Sequence, residues 1–176
     1  ESLMIEPKVL VPMEVSRFKD VGRAKSEGAP WLTDGRLWHL EKRCSPQTKE
    51  MFLAFEGLLD ELVEVDGPFW DQKHYVSFRR HNFNWLAVHT RPSMLIFDFH
   101  VKVGTFKRAE LAERLGVVEF DVDEDLSEKL ALPSSVTVKQ IKEHRDRIRI
   151  RAKQGFDVRA KAFREVIQEA FRASPK

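Results

Sequence analysis

Between residues 74 and 103, three runs rich in aromatic and β-branched residues, HYVSFRR, NWLAVHTR and MLIFDFHVKV, follow one another across short polar turns. Side chains of these types fit a pleated, half-buried surface, and such runs separated by turn residues form an antiparallel meander. Successive side chains of a strand point to opposite faces. In the third run Leu95, Phe97, Phe99, Val101 and Val103 therefore share one face, and Asp98, His100 and Lys102 share the other. The first face is core, and the second is polar and mostly basic.

Around this meander the helical signals are local. Ser45-Pro46 starts a helix, with Ser as cap and Pro in the first turn, and Met51, Phe52, Phe55, Leu58, Leu59 and Leu62 follow at helical spacing until Asp66-Gly67-Pro68 ends it. A shorter helix is expected from Thr105 to Gly116 on Leu111, Ala112 and Leu115, and a last one from a capping Asp157, burying Phe163, Val166, Ile167, Ala170 and Phe171. In DRIRIRAK, Ile148 and Ile150 alternate with Arg147, Arg149 and Arg151, which is a strand with an apolar and a cationic face. Val136, Val138 and Ile141 fit strand or helix. Turns are expected at His81-Asn82 and Arg91-Pro92-Ser93. Residues 1–44, with scattered prolines and Trp31 and Trp38 bracketing Asp34-Gly35, read as an arm of short extended segments. The expected fold is α+β: an antiparallel sheet of four to five strands, with helices packed on one face in two layers, over residues 45–176.

With 176 residues, 42% hydrophobic and 33% charged, the chain fits one globular domain with an attached arm. A formal charge of +2 does not announce a nucleic-acid protein, so the distribution of charge matters more than its sum. Glu119–Glu128 holds six acids and no base, whereas Arg145–Arg164 holds eight bases against two acids. The single cysteine, Cys44, excludes an intramolecular disulfide, and no apolar run has the ~20 residues that span a bilayer. A cytoplasmic protein without a membrane partner is expected. The chain begins with Glu rather than Met, which suggests a piece of a longer polypeptide.

Signatures of catalysis and metal binding are incomplete. Asp121, Asp123 and Asp125 are spaced like the start of a calcium loop, but Leu126 stands where the turn wants Gly and Leu132 where a bidentate Glu is needed. The six histidines, at 39, 74, 81, 89, 100 and 144, show no paired ligand spacing with Cys44. His39-Leu-Glu41 starts like a zinc deaminase motif, yet no Pro-Cys-x-x-Cys follows. Asp34, Glu41 and Arg43 imitate a nuclease triad, but arginine cannot shed a proton to act as base. Cys44 beside a helix start has no base linked to it, and the glycines form no phosphate loop. No catalytic residue, metal or cofactor is assigned.

The pieces KHYVSFRRHNF at 73–83, the strand after it, and RIRIRAKQGFDVRAKAFREVIQEAF at 147–171 resemble a family of small uncharacterised domains labelled predicted transport proteins. These are often found alone or behind restriction-type nuclease domains. The resemblance covers residues 48–172 and brings no established activity, while the arm and the longer Gly104–Ser135 insertion depart from it.

The polar sheet face is expected to gather Tyr75, Arg79, Trp85, His89, Arg91, His100, Lys102, Arg147, Arg149 and Arg151. Guanidinium and ammonium groups neutralise phosphates and release counterions, and Tyr75 or Trp85 would stack on an unpaired base. The leading expectation is a non-enzymatic accessory domain that binds nucleic acid through this face and presents its helices to a partner protein or a covalently linked effector domain. The same face also reads as the solvated side of a two-layer domain, or as a surface crossed by the arm. Alternatives are a protein-interaction or dimerisation module positioning an effector such as a nuclease, and a small-molecule enzyme or sensor with a pocket under the arm, lined by Trp31, Trp38, His39 and His89.

Overall fold

A computed structural model describes residues 28–120 and 133–175. The remainder of the expected arm, residues 1–27, and the calcium-like run at 121–132 lie outside the described residues. The fold is α+β, with helices on one face of a seven-stranded mixed sheet. The elements in chain order are α1 (Pro46–Leu62), β1 (Asp66–Phe69), β2 (Tyr75–Arg80), β3 (Phe83–Thr90), β4 (Met94–Lys102), α2 (Arg108–Leu115), β5 (Val118–Glu119), β6 (Ser135–Lys142), β7 (Arg145–Lys153) and α3 (Lys161–Arg172). The sheet order is β1-β2-β3-β4-β7-β6-β5.

The expectation of four to five antiparallel strands describes the centre and misses the edges. β2, β3, β4, β7 and β6 pair antiparallel, while two short strands extend the sheet and β5 runs parallel to β6. α1 ends at Leu62, where Val63 is already extended, ahead of the expected stop at Asp66-Gly67-Pro68; those residues instead belong to β1 and pair with β2 through an irregular register. Pro has no N–H to give to a ladder, so the outermost position suits it. The two residues of β5 are too few to show alternation.

α1 opens as its sequence dictates. The Ser45 side chain accepts from Thr48 N, and the Thr48 side chain accepts in turn from Ser45 N, so two otherwise unpaired donors are satisfied. Phe52, Phe55, Leu58 and Leu59 enter the core, where Phe55 meets Phe97 at 4.6 Å and Phe163 of α3 meets Phe97 at 5.3 Å. Burying each such ring contributes about 1.5–3 kcal/mol. α2 starts at Arg108 rather than Thr105, because the Thr105 hydroxyl donates to Lys102 O and closes a turn instead. It ends at Gly116 in the left-handed conformation. α3 starts at Lys161 rather than after Asp157, whose carboxylate accepts from Arg159 N within a preceding turn.

Residues 28–44 are helical, not extended. Short helical pieces at Pro30–Thr33 and Gly35–Leu37 lead into a π-helix, Trp38–Arg43, whose end is marked by Cys44 N donating to His39 O. Asp34 accepts from Leu37 N and so starts the second piece. At Gly35 a Cβ would lie 2.3 Å from Trp70 O, so only glycine lets this segment approach the β1–β2 connection. The Trp38 indole donates to Lys73 O at 2.9 Å, and Lys73 lies over the Trp31 ring. Trp31 and Trp38 therefore engage this connection, not the rows of the sheet face.

Candidate functional site

The face opposite the helices is ordered in rows by strand register. Ser77, Ala87, Asp98, Arg149 and Thr137 form one row across β2, β3, β4, β7 and β6. On one side of it run Tyr75, His89, Ile96, Arg151 and Ser135, and on the other His100, Arg147 and Lys139, followed by Lys102 beside Arg145. The sequence-based parity holds at Tyr75, His89, His100, Lys102, Arg147, Arg149 and Arg151.

It fails at Trp85. Phe78 pairs with Leu86 and Arg79 with Asn84, so Trp85 is an extra residue in β3 that the partner strand does not match. This bulge turns its side chain to the helix side. There the indole is 0% exposed, donates to Ala170 O at 3.1 Å and meets Phe99 and Phe171, each at 5.4 Å. Trp85 is a core residue and has no face to offer a base. The adjacent apolar pair Trp85-Leu86, inside an otherwise alternating run, is the signal that marks such a bulge.

Arg149 and Arg151, expected on phosphates, are also buried. Asp98 is 4% exposed and accepts from Arg149 Nε and Nη2 at 2.6 Å each, with His89 Nε2 at 3.0 Å. Burial by itself pushes the Asp98 carboxyl up, but the hydrogen bonds from Arg149 and His89 more than reverse this and hold it at about 2. Arg149 is 7% exposed; Arg151 is 3% exposed and donates from Nη1 to Thr137 Oγ1 at 2.9 Å. Neither side chain presents its charge to solvent. Burial, and then the neighbouring Arg149, lower the Arg151 pKa, which marks the crowding of like charge along β7.

One end of the face keeps a group of accessible cations. Lys102 and Lys139 are exposed, while Arg79, His100, Arg145 and Arg147 are half-buried. Arg145 lies over the Phe83 ring at 5.0 Å, and Arg79 lies over Phe69 at 4.2 Å while its Nε donates to Asn84 Oδ1 at 3.1 Å. Burial, and then Arg145, lower the His100 pKa and keep its imidazole neutral. Among the described residues, His100 Nδ1 and the Nε atoms of Arg145, Arg147 and Arg151 are buried with no hydrogen-bond partner. Such a group costs about 1–3 kcal/mol for as long as it stays unpaired. Sequence reasoning left out Arg145, Phe83, Asn84 and Lys139. Arg145 was the most legible of these, since it continues the alternation of Arg147, Arg149 and Arg151 by one step.

The other expected residues are spread over different tasks. Tyr75 is half-buried against His89, ring to ring at 5.5 Å, and Arg91 stands beyond the end of β3. His39 is fully buried, with Nδ1 2.6 Å from Thr90 Oγ1 and Nε2 2.7 Å from Gln72 O, so both ring nitrogens are engaged within the fold. Asp34 caps Leu37, Glu41 pairs with Lys49, and Arg43 Nε donates to Thr90, so these three do not form a nuclease-like cluster. Burial raises the Cys44 thiol pKa, the wrong direction for a nucleophile. Among the described residues no group of three or more His, Cys, Asp or Glu is placed to hold a metal ion, and no helix is long and apolar enough to cross a membrane.

Comparisons with protein-family models, with curated proteins and with solved structures each find no match to this chain.

Proposed function

We propose that this chain is a non-enzymatic accessory domain that binds nucleic acid through the basic end of its sheet face. The nucleic-acid contacts are Arg145, Arg147, Lys102, Lys139 and Arg79. The observation that carries the reading is the row of unpaired nitrogens, His100 Nδ1, Arg145 Nε and Arg147 Nε, beside the exposed Lys102 and Lys139. Among the described residues the acid in these rows is Asp98, which already accepts from Arg149 and His89. A guanidinium whose Nε lacks a partner gains a charge-assisted hydrogen bond by turning toward an incoming phosphate, while an exposed lysine needs no rearrangement. Attachment to an effector such as a nuclease, in the manner of the family that the sequence resembles, belongs to the same proposal.

The test is fluorescence anisotropy of labelled DNA and RNA at two salt concentrations, with wild-type protein and with Arg145→Glu and Arg147→Glu. Affinity should fall steeply with salt, and each substitution should weaken binding to all sequences about equally and flatten the salt dependence by about one unit of slope. Unchanged affinity and slope in both variants, with an unchanged circular-dichroism spectrum, would move the binding site off this face. Equal binding of polyglutamate would point to an acidic protein as the partner.

A further inference from the structure

Next to the basic rows lies a recess of about 390 Å³, lined by Arg79, Asn82, Phe83, Asn84, His100 and Arg145. Two of its lining residues are arginines whose guanidinium carbons lie over phenyl rings: Arg79 over Phe69 at 4.2 Å and Arg145 over Phe83 at 5.0 Å. Asn84 uses its carbonyl oxygen on Arg79 Nε, which leaves its amide nitrogen to donate. Asn82 sits in a two-residue hairpin turn in which His81 and Asn82 both have positive φ, 50° and 62°. Both ends of that turn are tied into the β2–β3 ladder, so the amide is presented from a fixed backbone. Among the described residues no acidic side chain lines the recess.

Planar cationic and aromatic surfaces with amides at their rim suit a flat heterocycle whose edge carries donors and acceptors. A base inside a duplex is stacked on both faces and paired along its edge, and a recess of this shape admits it only when it is unpaired. We infer that the recess holds one unpaired nucleotide of a bound strand. Its base lies between the guanidinium planes of Arg79 and Arg145 against Phe83, its edge meets Asn82 and Asn84, and the flanking phosphates run to Arg147 and Lys102. The inference rests on the nucleic-acid reading above and adds to it a preference for single strands.

The test is anisotropy at one low salt concentration with three labelled probes: a short single-stranded oligonucleotide, its blunt duplex, and an abasic strand with the same number of phosphates. The proteins compared are wild type, Asn84→Ala and Phe83→Leu. Wild type should bind the base-containing strand about tenfold more tightly than the abasic strand, and more tightly than the duplex. Asn84→Ala, at an exposed position, should narrow the gap between base-containing and abasic strands, and Phe83→Leu should narrow it further. Equal affinity of wild type for the base-containing and abasic strands would overturn the nucleotide recess while leaving a purely electrostatic face in place. Binding of none of the probes would instead sink the nucleic-acid reading itself.

Discussion

Titrating His39 is the most direct way to test how residues 28–44 are held on the sheet. The imidazole is fully buried between Thr90 Oγ1 at 2.6 Å and Gln72 O at 2.7 Å. A neutral ring satisfies both partners, with Nε2–H donating to the Gln72 carbonyl and Nδ1 accepting from the Thr90 hydroxyl. Protonation would put a second donor and a charge into this site, where Arg43 already donates to Thr90 O and Oγ1. Burial lowers the His39 pKa from 6.5 to about 4, with Arg43 adding to the shift and the bond to Gln72 opposing it. Between those values the unfolded chain binds a proton that the native state refuses. The His39 contribution is therefore complete above pH 6.5 and declines as pH falls toward 4, at ~1.4 kcal/mol per pH unit. Across the whole window this amounts to roughly 3 kcal/mol. Urea midpoints measured from pH 7.5 to 4.5 for wild type and His39→Gln provide the assay. Glutamine does not titrate, so the variant should start less stable at neutral pH, by about 1–3 kcal/mol for disturbed buried polar groups, and then converge on wild type as pH falls. Two parallel curves through this range would show that His39 is not held neutral by the fold, and the argument from its burial would fail.

Two further substitutions separate packing from binding. Asp98→Asn removes the charge that Arg149 and His89 share and should cost about 3 kcal/mol at neutral pH, read from denaturant midpoints. Because the Asp98 carboxyl is held at about 2 against an ordinary 3.8, its contribution is present above pH 3.8 and lost as pH falls through 2. The variant should lose less stability than wild type over that interval, and an equal loss would count against the pairing. Trp85→Phe deletes the indole hydrogen bond to Ala170 O and some ring volume, so it should destabilise by about 1–2 kcal/mol while leaving oligonucleotide affinity unchanged. Weakened binding at unchanged stability would return Trp85 to the binding face.

Local chemistry made several elements legible in the sequence. The meander followed from β-branched and aromatic alternation, and α1 from Ser45-Pro46 with its apolar spacing. The His81-Asn82 turn and the basic stripe of Arg147, Arg149 and Arg151 opposite Ile148 and Ile150 were equally local. In each case the period of the backbone converts residue order directly into facing direction. The edge strands β1 and β5 were not legible, because Pro68 and a two-residue strand carry no periodicity and exist only by pairing with a neighbour. Nor were the helical pieces at 30–43, whose conformation depends on partners as distant in sequence as Lys73 and Thr90.

The candidate site divides along the same line. Parity assigned Arg147, His100 and Lys102 to one face from the sequence alone, and alternation continued by one residue would have added Arg145. Parity says nothing of how far a charge stands from solvent. Asp98 draws Arg149 flat against the sheet, and Thr137 holds Arg151, so two arginines that read as phosphate contacts became internal pairs. One unmatched residue in the β2–β3 register carried Trp85 from the polar face into the core. The sequence by itself determined which side chains alternate and where the meander strands, β7 and the start of α1 lie, because these follow from neighbours a few positions away. Which cations remain available, and that Phe83, Asn84 and Arg145 meet in one recess, was decided only by long-range register, which is set by the strand on the other side of the ladder.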